Sequence, residues 1–146
     1  MPGGRDDPLL KRFVAWMELR GYRSGTIRQY YYDIRRFLLW LGKPPQEASE
    51  KEISSYLMEL KLRRNLSNST LLRRIASLRT FYEFMVEEGL VEDNPVSVRR
   101  PRVRRKLPTV LTREEVRRLI EAAGNPRDRL LIRMLYSTGA RVSEIV

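Results

Sequence analysis

The stretch SGTIRQYYYDIRRFLLWL, residues 24–41, sets the reading of this chain. Ser24-Gly25-Thr26 caps a helix start. Ile27, Tyr30, Ile34, Phe37, Leu38 and Leu41 then recur three and four apart, which is the apolar stripe of an amphipathic helix. Gly42 and Pro44-Pro45 end it. Arg28, Tyr32, Arg35 and Arg36 fall on the face opposite Ile27 and Ile34.

The same grammar extends in both directions. Upstream, Asp6-Asp7-Pro8 starts a helix, with acids ahead of a first-turn proline. Leu10, Phe13, Val14 and Met17 line that helix, and Gly21 stops it. Downstream, Ser49-Glu50-Lys51-Glu52 fits a capping box ahead of Ile53, Tyr56, Leu57 and Leu60. Ser67-Asn68-Ser69 opens a fourth helix through Leu71, Ile75, Leu78, Tyr82 and Met85, closed by Gly89. No segment shows a convincing period of two. The expectation is an all-α protein whose residues 1–94 form a four-helix bundle.

Composition changes after Asn94-Pro95. Residues 95–110 contain VRRPRVRRKL, and Pro95, Pro101 and Pro108 forbid a regular helix there. The segment reads as an extended basic linker, fourteen residues of which at ~3.3 Å each could span up to ~45 Å, ample to cross a ~12 Å major groove. A further domain begins at Leu111. Thr112-Arg-Glu-Glu115 is another capping box, Asn125-Pro126 starts the next helix, and Thr138-Gly139 ends it ahead of Arg141. Leu130, Leu131, Met134 and Leu135 form a strongly apolar surface that needs a partner, because residues 111–146 are too few to bury a core alone.

Net charge bounds the partner class. Lysine and arginine number 29 against 18 acids, giving +11 over 146 residues. Such a surface attracts polyanions, nucleic acid first. Arginine predominates, and guanidinium grips phosphate bidentately. With no cysteine and no histidine, disulfides, the usual zinc site and histidine acid–base chemistry are excluded within the chain. No metal and no cofactor are expected. No apolar run approaches the ~18 residues of a membrane span, so no membrane partner is expected and the default location is the cytoplasm.

The candidate contacts follow from the basic faces. They are Arg28, Tyr32, Arg35 and Arg36 on the second helix, and Arg73, Arg74 and Ser77 on the fourth, taken to point away from Leu71, Ile75 and Leu78. Arg79 reads as partly buried. Arg99, Arg100, Arg102, Arg104, Arg105 and Lys106 come from the linker. Solvated charged faces are the plain alternative for each. Tyr30, Tyr31, Tyr32, Phe81 and Tyr82 read as core rather than a base-stacking platform. Met17, Met58, Met85 and Met134 read as core fillers.

The segment Leu135 to Glu144 carries Leu-Tyr-x-Thr-Gly-x-Arg-x-Ser-Glu, which resembles the first-arginine motif of the tyrosine recombinases, with Xer-type recombinases and related integrases nearest. Thr26 to Asp33 resembles that family's Thr-x-x-x-Tyr-x-x-Asp segment. Arg73 and Leu78-Arg79-Thr-Phe81-Tyr82 resemble its fourth helix. Asn94-Pro95, the basic stretch, Leu107-Pro108 and Leu111-Thr112-x-x-Glu115 resemble its inter-domain connection. The resemblance runs from about Leu9 to the last residue.

The resemblance implies a core-binding, SAM-like helical bundle on one face of double-stranded DNA, a linker, and the helical start of a catalytic domain on the other face. It supports Arg28, Arg35, Arg73 and Arg79 as groove contacts. It implies a tyrosine nucleophile and arginines that stabilise charge on the scissile phosphate, without metal or cofactor. Arg141 corresponds by position to the first of those arginines, with Glu144 holding it. The family's catalytic lysine, His-x-x-Arg element and nucleophilic tyrosine have no counterpart in this chain. The expectation is therefore a DNA-binding portion of a site-specific recombinase that is inactive alone, partnered by DNA and by a C-terminal catalytic half or other recombinase protomers. The alternatives are a standalone regulator that occupies recombination sites, and a helical interaction domain with no DNA role.

Overall fold

The computed structural model describes residues 3, 4 and 7–146. Asp6 of the expected helix start lies outside the described residues. The described residues form seven α-helices and no strand. They divide into two compact units, residues 3–104 and 105–146.

The first unit is a bundle of α1 (Pro8–Leu19), α2 (Ser24–Leu41), α3 (Glu50–Arg63) and α4 (Asn68–Glu87). Side-chain caps start three of them: Asp7 accepts from Leu9 N–H, Ser49 from Glu52 N–H and Ser67 from Thr70 N–H. Each satisfies an orphan donor and contributes about 1 kcal/mol. Ser49 and Glu52 complete a reciprocal capping box.

α4 is the central helix and packs on α1, α2 and α3. Phe13 and Met17 of α1, Ile34 and Phe37 of α2, Ile53 of α3, and Phe81, Tyr82 and Met85 of α4 are all fully buried. Phe13 meets Phe81 edge to face at 5.3 Å and 84°, the arrangement favoured by the ring quadrupoles. Tyr82 donates its hydroxyl proton to Pro45 O at 3.0 Å, tying α4 to the 3-10 turn Pro45–Glu47.

The chain after α4 returns along the bundle. Asn94 accepts from Val96 N–H and donates to Arg79 O. The Arg79 guanidinium donates to Val98 O at 2.6 Å and to Val96 O at 3.5 Å. Val96 is buried against the core. Asn68, at the start of α4, donates to Arg102 O at 3.2 Å. The basic stretch thus begins as a strap held along α4, by Arg79 in its interior and Asn68 at its start.

Two expectations about methionine are corrected. Met17 and Met85 are in the core, but Met58 is 63% exposed and Met134 41% exposed. Met58 lies on the outer side of α3, and α6 has too few neighbours in its unit to cover Met134.

The second unit comprises α5 (Arg113–Ala122), α6 (Pro126–Thr138) and the single turn α7 (Val142–Ile145). Thr112 and Glu115 form the expected capping box, and Asn125 caps α6 through Asp128 N–H. α5 packs on α6, yet among the described residues Val116 is the one buried hydrophobic side chain of the unit and α6 buries none. Gly139 takes φ 65° and donates to Leu135 O, the left-handed helix end that glycine adopts without a Cβ clash.

Candidate nucleic-acid interface

In the bundle, α2 and α4 meet around one carboxylate. Asp33 is 2% exposed, and its oxygens face three side chains. Arg73 donates to it from Nε at 3.3 Å and Nη2 at 3.4 Å. Gln29 donates at 3.3 Å. Arg74 Nη1 lies 3.2 Å away, within ion-pair range but outside hydrogen-bond alignment. A buried carboxylate is tolerable only when paired in this way. Arg73 keeps a partly exposed side chain, so its guanidinium is oriented by Asp33 while still reaching solvent.

Two candidates are corrected. Arg74 is 5% exposed and Ser77 is fully buried, with its hydroxyl donating to Arg74 O at 2.9 Å. The stripe Leu71, Ile75, Leu78 predicts a single buried face. α4 is packed on three sides, so the buried arc widens to take in positions 74 and 77.

The other candidates divide into free and engaged groups. Arg28, Tyr32 and Arg36 are on the outer side of α2, Tyr32 at 47% exposure. Tyr32 therefore departs from the core reading of the tyrosine cluster, while Tyr30 and Tyr31 are half-buried against the core. Arg35 is half-buried and donates from Nε to Gly3 O at 3.1 Å. Gly3 is itself buried, and at φ 83° an added Cβ would meet Arg35 O at 3.0 Å. Arg79 is committed to the strap carbonyls.

Arg99, Arg100, Arg102, Arg104, Arg105 and Lys106 are exposed, and none has an ion-pair partner among the described residues. Pinning the strap at Val96 and Val98 sets the path of the first of these cations.

In the second unit, Glu144 accepts from the Arg141 backbone N–H at 2.8 Å and from its Nη1 at 3.1 Å. The side chains of both are mainly exposed. Thr138 Oγ1 accepts from Ala140 N–H at 3.2 Å and donates to Met134 O at 2.7 Å, which shapes the turn that presents Arg141. Asp33 is a hub that the pattern of basic faces does not assign. Its signal was present: a carboxylate between Tyr30, Ile34 and Phe37 on the apolar side of a helix needs a buried cation.

No helix among the described residues is long and apolar enough to cross a membrane.

Residues 9–92 match the family model described as phage integrase, N-terminal SAM-like domain. The chain is similar to tyrosine recombinase XerD of Chlorobaculum tepidum, at 34% identity, covering 97% of this chain and 52% of that protein. It is similar to tyrosine recombinase XerA of Thermococcus kodakarensis, at 35% identity over 94% of this chain and 46% of the relative. Among solved structures, the integrase from mycobacterium phage Brujita aligns with TM-score 0.63 at 25% identity, over 96% of this chain and 48% of that one. A XerA recombinase aligns with TM-score 0.55 at 26% identity, over 87% and 44%. The chain spans about half the length of these relatives.

Proposed function

Because the chain belongs to the phage integrase family through its N-terminal SAM-like domain, we propose that it is the DNA-binding portion of a tyrosine-type site-specific recombinase. The observation that carries this reading is the run of exposed cations without carboxylate partners among the described residues, from Arg99 to Lys106, attached to a bundle whose α2 presents Arg28, Tyr32 and Arg36. Unpaired guanidiniums are available to phosphates, and each phosphate neutralised releases counterion.

Arg28, Tyr32, Arg36 and Arg73 are assigned to the duplex. Arg73 is the one pre-oriented by a buried carboxylate, which lowers the entropic cost of engaging phosphate. Arg35 and Arg79 act through other groups: Arg35 through the backbone at Gly3, Arg79 by holding the strap. Arg141 is assigned to a scissile phosphate, with Glu144 as its positioning residue. Stabilising charge on the phosphate is one part of strand transfer. Cleavage and joining need a fuller active site than Arg141 and Glu144 supply.

The test is fluorescence anisotropy with duplex DNA over a salt series. Affinity should fall steeply and linearly on a log–log plot. Binding that is absent at low salt, or insensitive to salt, rejects the assignment.

A further inference from the structure

A pocket of about 470 Å³ opens between α2, α3 and α4. Three guanidiniums line it: Arg36 from α2, Arg64 at the end of α3 and Arg74 from α4. Arg74 is nine-tenths buried, and its Nε and Nη1 have no hydrogen-bond partner among the described residues. Its charge is offset by Asp33, which Arg73 shares. Arg36 and Arg64 are exposed and have no hydrogen bond or ion pair among the described residues. Arg36 and Arg64 therefore bring open donors to the pocket, while Arg74 Nε and Nη1 are sealed from solvent, with Nη1 facing Asp33, so Arg74 contributes positive charge beneath the site.

The remaining walls fit an anionic guest. Trp40 and Tyr56 stand side by side, with ring centroids 5.1 Å apart at 50°. Glu59 is the carboxylate at the pocket, and it is already engaged. It accepts from Trp40 Nε1 at 2.9 Å and lies 3.6 Å from Arg63. Burial, foremost, and Asp33 push the Tyr56 phenol up, while Arg74, Arg64 and Arg36 pull it down. A phenol is protonated at neutral pH, and the net rise keeps it so, leaving the hydroxyl able to donate to an anion.

We propose that this pocket binds a phosphoryl group, with Arg74 at its floor, Arg36 and Arg64 at its rim, and Trp40 and Tyr56 flanking the attached moiety. Guanidinium forks match phosphate oxygens bidentately, and aromatic faces accept a base or sugar. The phosphoryl group comes either from the DNA backbone or from a free phosphorylated molecule of mononucleotide size. The first source rests on the DNA-binding reading above; the second does not.

The experiment is calorimetric titration of the chain with sodium phosphate and with adenosine monophosphate at constant ionic strength, sodium chloride serving as blank. The comparison variant is R64Q, at an exposed position that is assigned no duplex contact and leaves the core intact, checked by circular dichroism. The expected result is saturable binding that weakens about tenfold or more in the variant. Anisotropy with duplex DNA then separates the sources. Displacement of DNA by phosphate, with a variant salt slope smaller by about one, identifies the backbone. Saturable phosphate binding with unchanged DNA affinity and slope identifies a free ligand. Absence of both saturable phosphate binding and a slope change overturns the proposal, as does phosphate binding that the variant leaves intact. If the chain fails to bind DNA at all, the DNA reading falls and the phosphate titration still decides this site.

Discussion

Asp33 Oδ1 lies 3.2 Å from Arg74 Nη1, with both side chains buried between α2 and α4. The contact joins the two helices that carry most of the bundle's candidate contacts. Removing the carboxylate would leave Arg74 buried without its charge partner. Asp33→Ala should cost about 3–5 kcal/mol, read from urea denaturation. Asp33→Leu combined with Arg74→Met should recover much of that loss. A single variant within ~1 kcal/mol of wild type would show that water already satisfies the pair.

Arg79 holds the strap through the carbonyls of Val96 and Val98. Arg79→Met keeps the aliphatic stem and removes the donors. Limited proteolysis should then cut between residues 96 and 104 at a markedly higher rate, with the bundle still folded by circular dichroism. Unchanged cleavage would mean that burial of Val96 alone secures the strap.

The Glu52 carboxylate is held down to about 2, from an ordinary value of 4.5, first by its bond with Lys43 and next by the Ser49 backbone N–H. A depressed folded value stabilises the fold above the unfolded value and loses that contribution as pH falls. The affected window runs from about 4.5 down to about 2. Glu52→Gln should flatten the thermal stability profile over that window and lower stability at pH 7. An unchanged acid limb would place the acid sensitivity elsewhere.

The strap arginines test the phosphate assignment. Arg99→Gln with Arg100→Gln should lower the slope of log affinity against log salt by about 0.9 for each phosphate that is no longer neutralised, and should weaken binding similarly on all sequences. Weakening confined to one DNA sequence would instead assign these side chains to base edges.

Arg141 pairs with Glu144 on an exposed turn. Arg141→Ala should change stability by less than about 1 kcal/mol. It should also leave duplex affinity of this chain within about twofold, since grip on a scissile phosphate needs a fuller active site than Arg141 and Glu144 supply. A tenfold fall in affinity would mean that the second unit already grips DNA.

The helices, their caps and their breaks were legible because each is a local property. Ser49 with Glu52, Thr112 with Glu115 and Gly139 each complete a bond within a few residues. The apolar stripe of α2 likewise marked Ile34, Phe37 and Leu38 as core. The motif around Arg141 and Glu144 was legible for the same reason, since their bonds span three residues.

Where each charge ended up was a tertiary decision. Arg73 and Arg74 are neighbours in sequence, yet one reaches solvent and the other is buried. A helix packed on one side has a narrow buried stripe; α4 is packed on three, so its buried arc takes in Arg74 and Ser77. The pocket residues Arg36, Arg64 and Arg74 come from three helices, and no spacing along the chain relates them. The sequence by itself determined the helix-forming segments, a basic strap and a family motif, because backbone capping and side-chain periodicity act over one or two turns. The bundle decided which cations are paired, which are buried and which remain available to phosphate, because burial and ion pairing depend on neighbours brought together across the fold.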